Sequence, residues 1–237
     1  MTDCDFATLY NSVYHRHQEG SFRSAQILLG HLFELYRPRS VVDFGCGPGM
    51  WLAAAESLGC TELKGYDGAW VDAASLASKA IDLSVVNLED RIVTDRRYDL
   101  AISVEVAEHL SERRAESFVD DLCQASDIIL FGAAIPYQGG CHHINERCQS
   151  YWVGLFRQHG YVCHDVIRPI VWENDEVECW YRQNTFLMVH GGISRDRLDL
   201  TKLKEAKPDW AHNVVHPNAF KNLAKALARK EEQLAHP

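Results

Sequence analysis

The sequence predicts an α/β fold, a parallel sheet with helices on both faces. Three observations predict it. Short β-branched runs alternate with segments of helical periodicity along most of the chain. The run Val41-Val42-Asp43-Phe44-Gly45-Cys46-Gly47-Pro48-Gly49 reads as a strand, a tight glycine turn and the start of a helix. Acids stand at the ends of the first two strand-like runs, at Asp43 and Asp67, and parallel sheets place their ligands at such carboxyl ends.

Composition narrows the class of protein. A chain of 237 residues is long enough for one α/β domain with additions. With 46% hydrophobic and 24% charged residues it has the balance of a soluble globular protein. No apolar run reaches membrane-spanning length, and Met1-Thr2-Asp3-Cys4-Asp5 lacks the basic start and apolar core of a signal peptide. Cytoplasmic residence, with no membrane partner, is the expectation. A net charge of −9 disfavours nucleic acid and favours a small-molecule partner. None of the eight cysteines forms C-x-x-C, which argues against a zinc ribbon or a thioredoxin-like site.

The elements follow in order. Residues 1–39 read as an N-terminal helical cap: an arm, then a helix capped by Ser21 and running to about Tyr36. Ile27, Leu28, Leu32 and Leu35 lie at helical spacing, and Pro38 closes the segment. Residues 40–192 form the main domain. After the strand at Val41–Phe44 comes a helix ending at Gly59. Strands follow at Glu62–Asp67, Ile81–Val86 and Tyr98–Val104. Ser111 caps a helix whose Ala115, Phe118, Val119 and Leu122 share a face, and Asp127–Gly132 is a buried fifth strand. A helix over Tyr151–His159 points Trp152, Leu155 and Phe156 inward and stops at Gly160. Tyr161–Ile167 and Thr185–Val189 are the last strands. Between them, Arg168–Asn184 holds Trp172, Trp180 and Tyr181. It is either a β-hairpin-like connection covering the sheet edge or an aromatic pocket wall. Residues 193–237 form a C-terminal helical extension. They are polar as far as a helix over Pro217–Ala235 with Phe220, Leu223, Leu227 and Leu234 along one side. That stripe suits a partner or homodimer contact, or simple docking on the domain.

The glycine turn predicts a cofactor. Glycine takes positive φ there and lets a ligand lie against the backbone, while the helix that follows offers N–H groups and a positive dipole end. The spacing Gly45-x-Gly47-x-Gly49 departs from the dinucleotide pattern G-x-G-x-x-G. Asp43 would repel a pyrophosphate but suits a ligand with an ammonium group. A nicotinamide oxidoreductase therefore ranks last. Asp67 is placed to accept hydrogen bonds from both hydroxyls of a ribose.

Together these segments resemble the motifs of class I S-adenosylmethionine-dependent methyltransferases, over about residues 40–190. The resemblance rests on the glycine turn, on Tyr66-Asp67-Gly68, on Asn87-Leu88 after the third strand, and on Glu105-Val106-Ala107-Glu108-His109-Leu110 after the fourth. It implies a Rossmann-like seven-stranded sheet of order 3-2-1-4-5-7-6 with the last strand antiparallel. It implies S-adenosylmethionine as cofactor, bound by Asp43, Gly45, Cys46, Gly47, Gly49, Asp67, Gly68, Asn87, Leu88 and Glu105. Asn87 departs from the acid the family often places there, although an amide still accepts an amino group. The resemblance also gives the N-terminal segment the task of covering the cofactor.

The loop Ile135–Glu146 carries the catalytic candidates. If the methyl acceptor is a hydroxyl, a histidine suits removal of its proton, and His142 and His143 are adjacent here. His143 is favoured because it stands nearer Asn145-Glu146. The loop resembles that of bacterial methyltransferases with a Gln-Gly-Gly then His-Ile-Asn-Glu pattern. In that group the acceptors are often sugars of surface glycans or secondary metabolites. A sharper reading concerns Glu105, Glu108 and His109, which share a face if the segment is helical. With His143 they would hold a divalent metal. This resembles the metal site of small-RNA 3′-terminal 2′-O-methyltransferases. In the plainer reading Glu105 lines the cofactor pocket and His109 packs or caps. Three functions stay open: a methyltransferase acting on a small-molecule hydroxyl, a metal-assisted RNA 2′-O-methyltransferase, and a non-catalytic cofactor-binding module. No basic, aromatic-interleaved stretch for RNA stands out.

Overall fold

The computed structural model describes residues 12–193, 203 and 209–235. The expected arm at residues 1–11 and most of the polar stretch after Gly192 lie outside the described residues. In chain order the elements are α1 (Ser12–Leu35), β1 (Ser40–Phe44), α2 (Met50–Ser57), β2 (Glu62–Asp67), β3 (Ile81–Val85) and β4 (Leu100–Val104). They continue with α3 (Ala115–Ala125), β5 (Ile128–Gly132), α4 (Gln149–Gln158) and β6 (Tyr161–His164). Last come α5 (Arg168–Val171), α6 (Cys179–Asn184), β7 (Phe186–His190) and α7 (Pro217–Ala235).

The strands form one seven-stranded sheet in the order β3-β2-β1-β4-β5-β7-β6. Neighbours from β3 to β5 pair in parallel, and β7 runs antiparallel to both β5 and β6. Order and orientation agree with the expectation. Side chains alternate between two cores, as a pleated strand with both faces covered requires. Val41, Leu100, Ile102, Leu130 and Leu187 join one core with residues of α1 and α2. Val42, Phe44, Ala101, Ile129, Phe131 and Phe186 join the other with α3 and α4. The two β-branched residues that open β1 thus serve opposite faces. Among the described residues, no helix is long and apolar enough to cross a membrane.

Several local readings need correction. α1 begins nine residues before Ser21, so Ser21 is not a cap. A cap is needed only where backbone N–H groups lose their partners, and the helix continues through this point. The Ser21 hydroxyl instead shares a 2.9 Å hydrogen bond with the Tyr181 hydroxyl. Ser111 makes no side-chain cap either, because Glu89 takes both its N–H and its hydroxyl at 2.6 Å. A 3₁₀ turn at Glu112–Arg114 leads into α3, whose Ala115, Phe118, Val119 and Leu122 are fully buried as the periodicity predicts. β6 stops at His164 rather than Ile167. Asp165 turns back to hold Arg168 through two hydrogen bonds of 2.8 Å. Arg168–Asn184 forms two short helices, not a hairpin. The segment has no alternating apolar pattern. It packs Val171, Val177 and Tyr181 into the α1 side of the core, with the Tyr181 ring edge-on to Trp51 at 5.3 Å.

Candidate active site

The glycine turn lies between β1 and α2 at the carboxyl edge of the sheet. Gly45, Gly47 and Gly49 all have positive φ, at 84°, 51° and 82°. A Cβ on Gly45 would come within 2.5 Å of Val106, and one on Gly49 within 2.4 Å of Ile81. Gly47 is different: a Cβ there would meet nothing within 4 Å, so its face is open to a ligand. No side chain caps the first turn of α2.

Two carboxylates stand beside this turn. Asp67 accepts the Gly47 N–H through Oδ2 and the Gly68 N–H through Oδ1, each at 2.6 Å. Asp43 is 2% exposed. Burial, and then the charge of Asp67, push its carboxyl well above the usual carboxylate range. Burial likewise raises Asp67, while its bonds to Gly47 and Gly68 oppose the rise. A cationic ligand would relieve this pair, so an ammonium or sulfonium group fits the electrostatics better than a phosphate does. Gly68 lies under the Trp70 indole. Cys46 is buried, with its Sγ against Gly65, and burial raises its thiol, so it acts as packing. Asn87 folds into a local turn, accepting from the Glu89 N–H at 3.2 Å and donating to Asp90 at 3.2 Å. The Leu88 side chain belongs to the core, and its carbonyl accepts from Arg114 at 2.8 Å. Any part Leu88 plays at a ligand falls to its backbone.

The second half of the site begins at the end of β4. Glu105 is a non-glycine residue at φ 58°, and a 3₁₀ turn over Ala107–His109 follows it. This corrects the expectation that Glu105, Glu108 and His109 share one helical face. Glu105 lies outside the group that Glu108 and His109 join. Its carboxylate accepts from Gln138 Nε2 at 2.5 Å and from Asn184 Nδ2 at 2.9 Å. Burial pushes it up to about 7 against the opposing effect of these two bonds.

Glu108, His109 and His143 do converge, with one potential ligand atom from each lying within 4.8 Å of the others. Glu108 is fully buried, and neither of its carboxylate oxygens has a hydrogen-bond partner among the described residues. Burial and the charge of Glu105 raise it well above the carboxylate range, opposed by the nearby backbone N–H groups of Glu108 and Ala134, which stop short of hydrogen-bond geometry. His109 sits at the rim with its ring 4.8 Å from that of His143 and nearly perpendicular to it. Desolvation of its inner side, and then His143, lower it to about 4.

His143 is the better placed of the two predicted bases. Its Nδ1 lies 2.9 Å from Glu146 Oε1, while Nε2 lies 3.9 Å from Glu108 Oε1. Glu146 also accepts the N–H groups of Tyr137 at 2.7 Å and Gly139 at 2.9 Å, which fixes the loop that carries the histidine. The ring lies over Gly140, where a Cβ would meet it at 2.2 Å. His142 is exposed at φ 58° and does not line the adjoining cleft.

That cleft has a volume of about 810 Å³, within the range of small-molecule sites. Its floor includes Glu105, Glu108, His109 and His143. It adjoins the glycine turn, because Gly45 packs on Val106, the residue after Glu105. Trp180 lines it, which agrees with the pocket-wall reading of Arg168–Asn184. Three contributors escaped sequence reasoning. Gln138, Gln183 and Asn184 form a hydrogen-bonded amide group behind Glu105. The only signal was a pair of amides set just before an apolar strand. Phe220 and Leu223 of α7 also line the cleft, and nothing local marks that contact.

Comparison with known proteins agrees with this geometry. Residues 14–125, just under half of the chain, match the family described as Methyltransferase domain. The sheet is the methyltransferase Rossmann-like fold, and three solved structures share it. One is the methyltransferase domain of bacterial CtHen1-C, at 16% identity over 73% of this chain and 98% of that one, with a TM-score of 0.53. Another is an S-adenosylmethionine-dependent methyltransferase from Mesorhizobium loti, at 15% over 69% and 94%, with a TM-score of 0.51. The third belongs to a complex of the Haloferax volcanii Trm112 methyltransferase activator and a methyltransferase, at 14% over 78% and 97%, with a TM-score of 0.57. No curated protein matches the chain.

Proposed function

We propose that this protein is an S-adenosylmethionine-dependent methyltransferase that acts on a hydroxyl oxygen of a small-molecule acceptor. The observation that carries the reading is the junction of two half-sites at Glu105–Glu108. On one side lie an open glycine turn and two acids suited to a cationic nucleoside. On the other lies a cleft floored by an oriented histidine. The methyltransferase-domain match supports the cofactor assignment. When bound, S-adenosylmethionine supplies an electrophilic methyl group on a positively charged sulfur. Asp67 and the backbone around Gly47 would hold its ribose, and Asp43 would favour its positive charge. Asp67 already accepts two N–H groups, and each oxygen keeps lone-pair capacity for a hydroxyl donor.

The chain's own contribution is to hold the acceptor and take its proton. With the Nδ1 proton of His143 given to Glu146, the Nε2 lone pair, on the Glu108 side of the ring, is left as the base. Nε2 accepts the hydroxyl proton, and Glu146 steadies the imidazolium that forms. Calorimetry against S-adenosylmethionine, S-adenosylhomocysteine and NAD tests the assignment. The first two bind in the expected outcome, and binding of NAD alone overturns it.

A second reading has its own observation, the unpartnered carboxylate of Glu108 between two imidazoles. A buried acid without a hydrogen bond is costly, and a divalent cation on Glu108, His109 and His143 would satisfy it. Such a cation would polarise the acceptor hydroxyl. Titration with Mn²⁺ followed by electron paramagnetic resonance decides between the two. Saturable binding that Glu108→Gln abolishes favours the metal. Full turnover after exhaustive chelation leaves histidine alone.

A further inference from the structure

The C-terminal extension is a wall of the cleft, and its chemistry narrows the acceptor. Its attachment is specific. Ser150 and Asn213 exchange two hydrogen bonds, from Ser150 N to Asn213 Oδ1 at 2.8 Å and from Asn213 Nδ2 to Ser150 Oγ at 2.9 Å. Gln149 donates to the Val214 carbonyl at 3.0 Å, and Arg168 to the His212 carbonyl at 3.0 Å. The buried His216 gives its backbone N–H to Gln183 at 2.7 Å, and its Nε2 lies 2.8 Å from the Trp172 carbonyl. These bonds fix the start of α7 at the mouth of the site.

What the end of the chain presents there is mostly apolar. Val215 just before α7, and Ala219, Phe220 and Leu223 on it, line the same cleft as the acids and histidines, with Asn222 as the one amide among them. Phe220 is 64% exposed and Val215 50% exposed, although both sit on an anchored segment. Such side chains offer a ligand apolar area to bury. A sugar would strip water from several hydroxyls against this wall, where Asn222 alone offers a side-chain hydrogen bond in return. An oligonucleotide would find no lysine or arginine among the described lining residues to pair with its phosphates. A molecule with one apolar ring and a hydroxyl satisfies both sides.

We infer that the acceptor is an amphipathic, ring-bearing hydroxyl compound of the phenol type, whose ring seats on the α7 wall and whose hydroxyl faces His143. Phe220 is the residue that sets this preference. The inference rests on the methyltransferase reading and, of the sugars and secondary metabolites expected from the sequence, sets the sugars aside.

Its test uses the full chain saturated with S-adenosylhomocysteine and 2-naphthol as probe, with binding read by calorimetry. Glucose and a ribodinucleotide are titrated in parallel. The expected result is saturable naphthol binding, none for the other two, and a loss of tenfold or more in Phe220→Asp with homocysteine-nucleoside affinity unchanged. Leu223→Asp gives a second variant on the same wall. The inference is overturned if naphthol fails to bind, if it binds both variants as well as the parent, or if glucose or the dinucleotide binds instead. Failure of the parent protein to bind S-adenosylhomocysteine would sink the methyltransferase reading separately, since the naphthol titration can be repeated without it.

Discussion

His142 and His143 are neighbours in the chain with opposite surroundings. One is exposed on strained backbone, while the other is 11% exposed in its side chain and braced by Glu146. We expect His143→Ala to lower kcat by about 10²–10⁴-fold, the usual contribution of a general base, with S-adenosylhomocysteine affinity unchanged. His142→Ala should stay within a few-fold of the parent. Steady-state kinetics with an accepted substrate separates the two, and equal losses would remove the assignment. Asp43 supplies a pH prediction. Its carboxyl is raised in the folded state, so above the ordinary carboxylate range the folded chain keeps a proton that the unfolded chain has released. Stability therefore falls as pH climbs from that range toward the raised value. Asp43→Asn should remove this part of the slope, and urea midpoints at pH 4, 6 and 8 would show the parent losing more than the variant. The acids, glycines and loop histidines were legible residue by residue because their chemistry is local. The orphaned state of Glu108 was not, since burial is a property of what folds around it.

Among the elements, the connection between β6 and β7 departs most from its sequence reading. A polar segment with three aromatic residues admits either a hairpin or a wall, and side-chain spacing alone does not choose. The choice is made by a buried pair. Arg168 holds Asp165, donates to the Gln183 and His212 carbonyls, and stacks on Phe186 at 4.1 Å. Arg168→Ala would remove the cation paired with Asp165, which is 7% exposed, and cost about 3–5 kcal/mol. Chemical denaturation measures this, and a loss below 1 kcal/mol would show the pair to be dispensable. The strands were readable because hydrophobic period is carried in short windows, whereas their order came only from the resemblance to methyltransferases. Ser111 was misread because its competing partner, Glu89, lies 22 residues away in sequence. α7 was recognised as amphipathic, yet the residues that anchor the segment before it, Gln149, Ser150, Arg168, Trp172 and Gln183, are distant in sequence.

At the scale of the molecule, α1 is part of the main core rather than a detachable cover. Ala25, Leu28, Leu29 and Leu32 are wholly buried in the cluster that backs the sheet. Removing residues 1–39 should leave a chain with no cooperative thermal transition, because the burial of three leucines, roughly 1.5–3 kcal/mol each, is lost and the core residues they cover are exposed. A sharp melt of the 40–237 fragment, followed by circular dichroism, would contradict this. The strand order carries a further consequence for how the protein is made. β7 is the last strand to be synthesised, yet it sits between β5 and β6 and pairs with both. Until residue 190 has emerged, Ile128–Gly132 is an open border of unpaired amides and carbonyls, and Tyr161–His164 has no neighbour at all. During translation that border is a template for a sister chain on the same message. Release of β7 is what turns a nascent chain prone to aggregation into a sealed molecule.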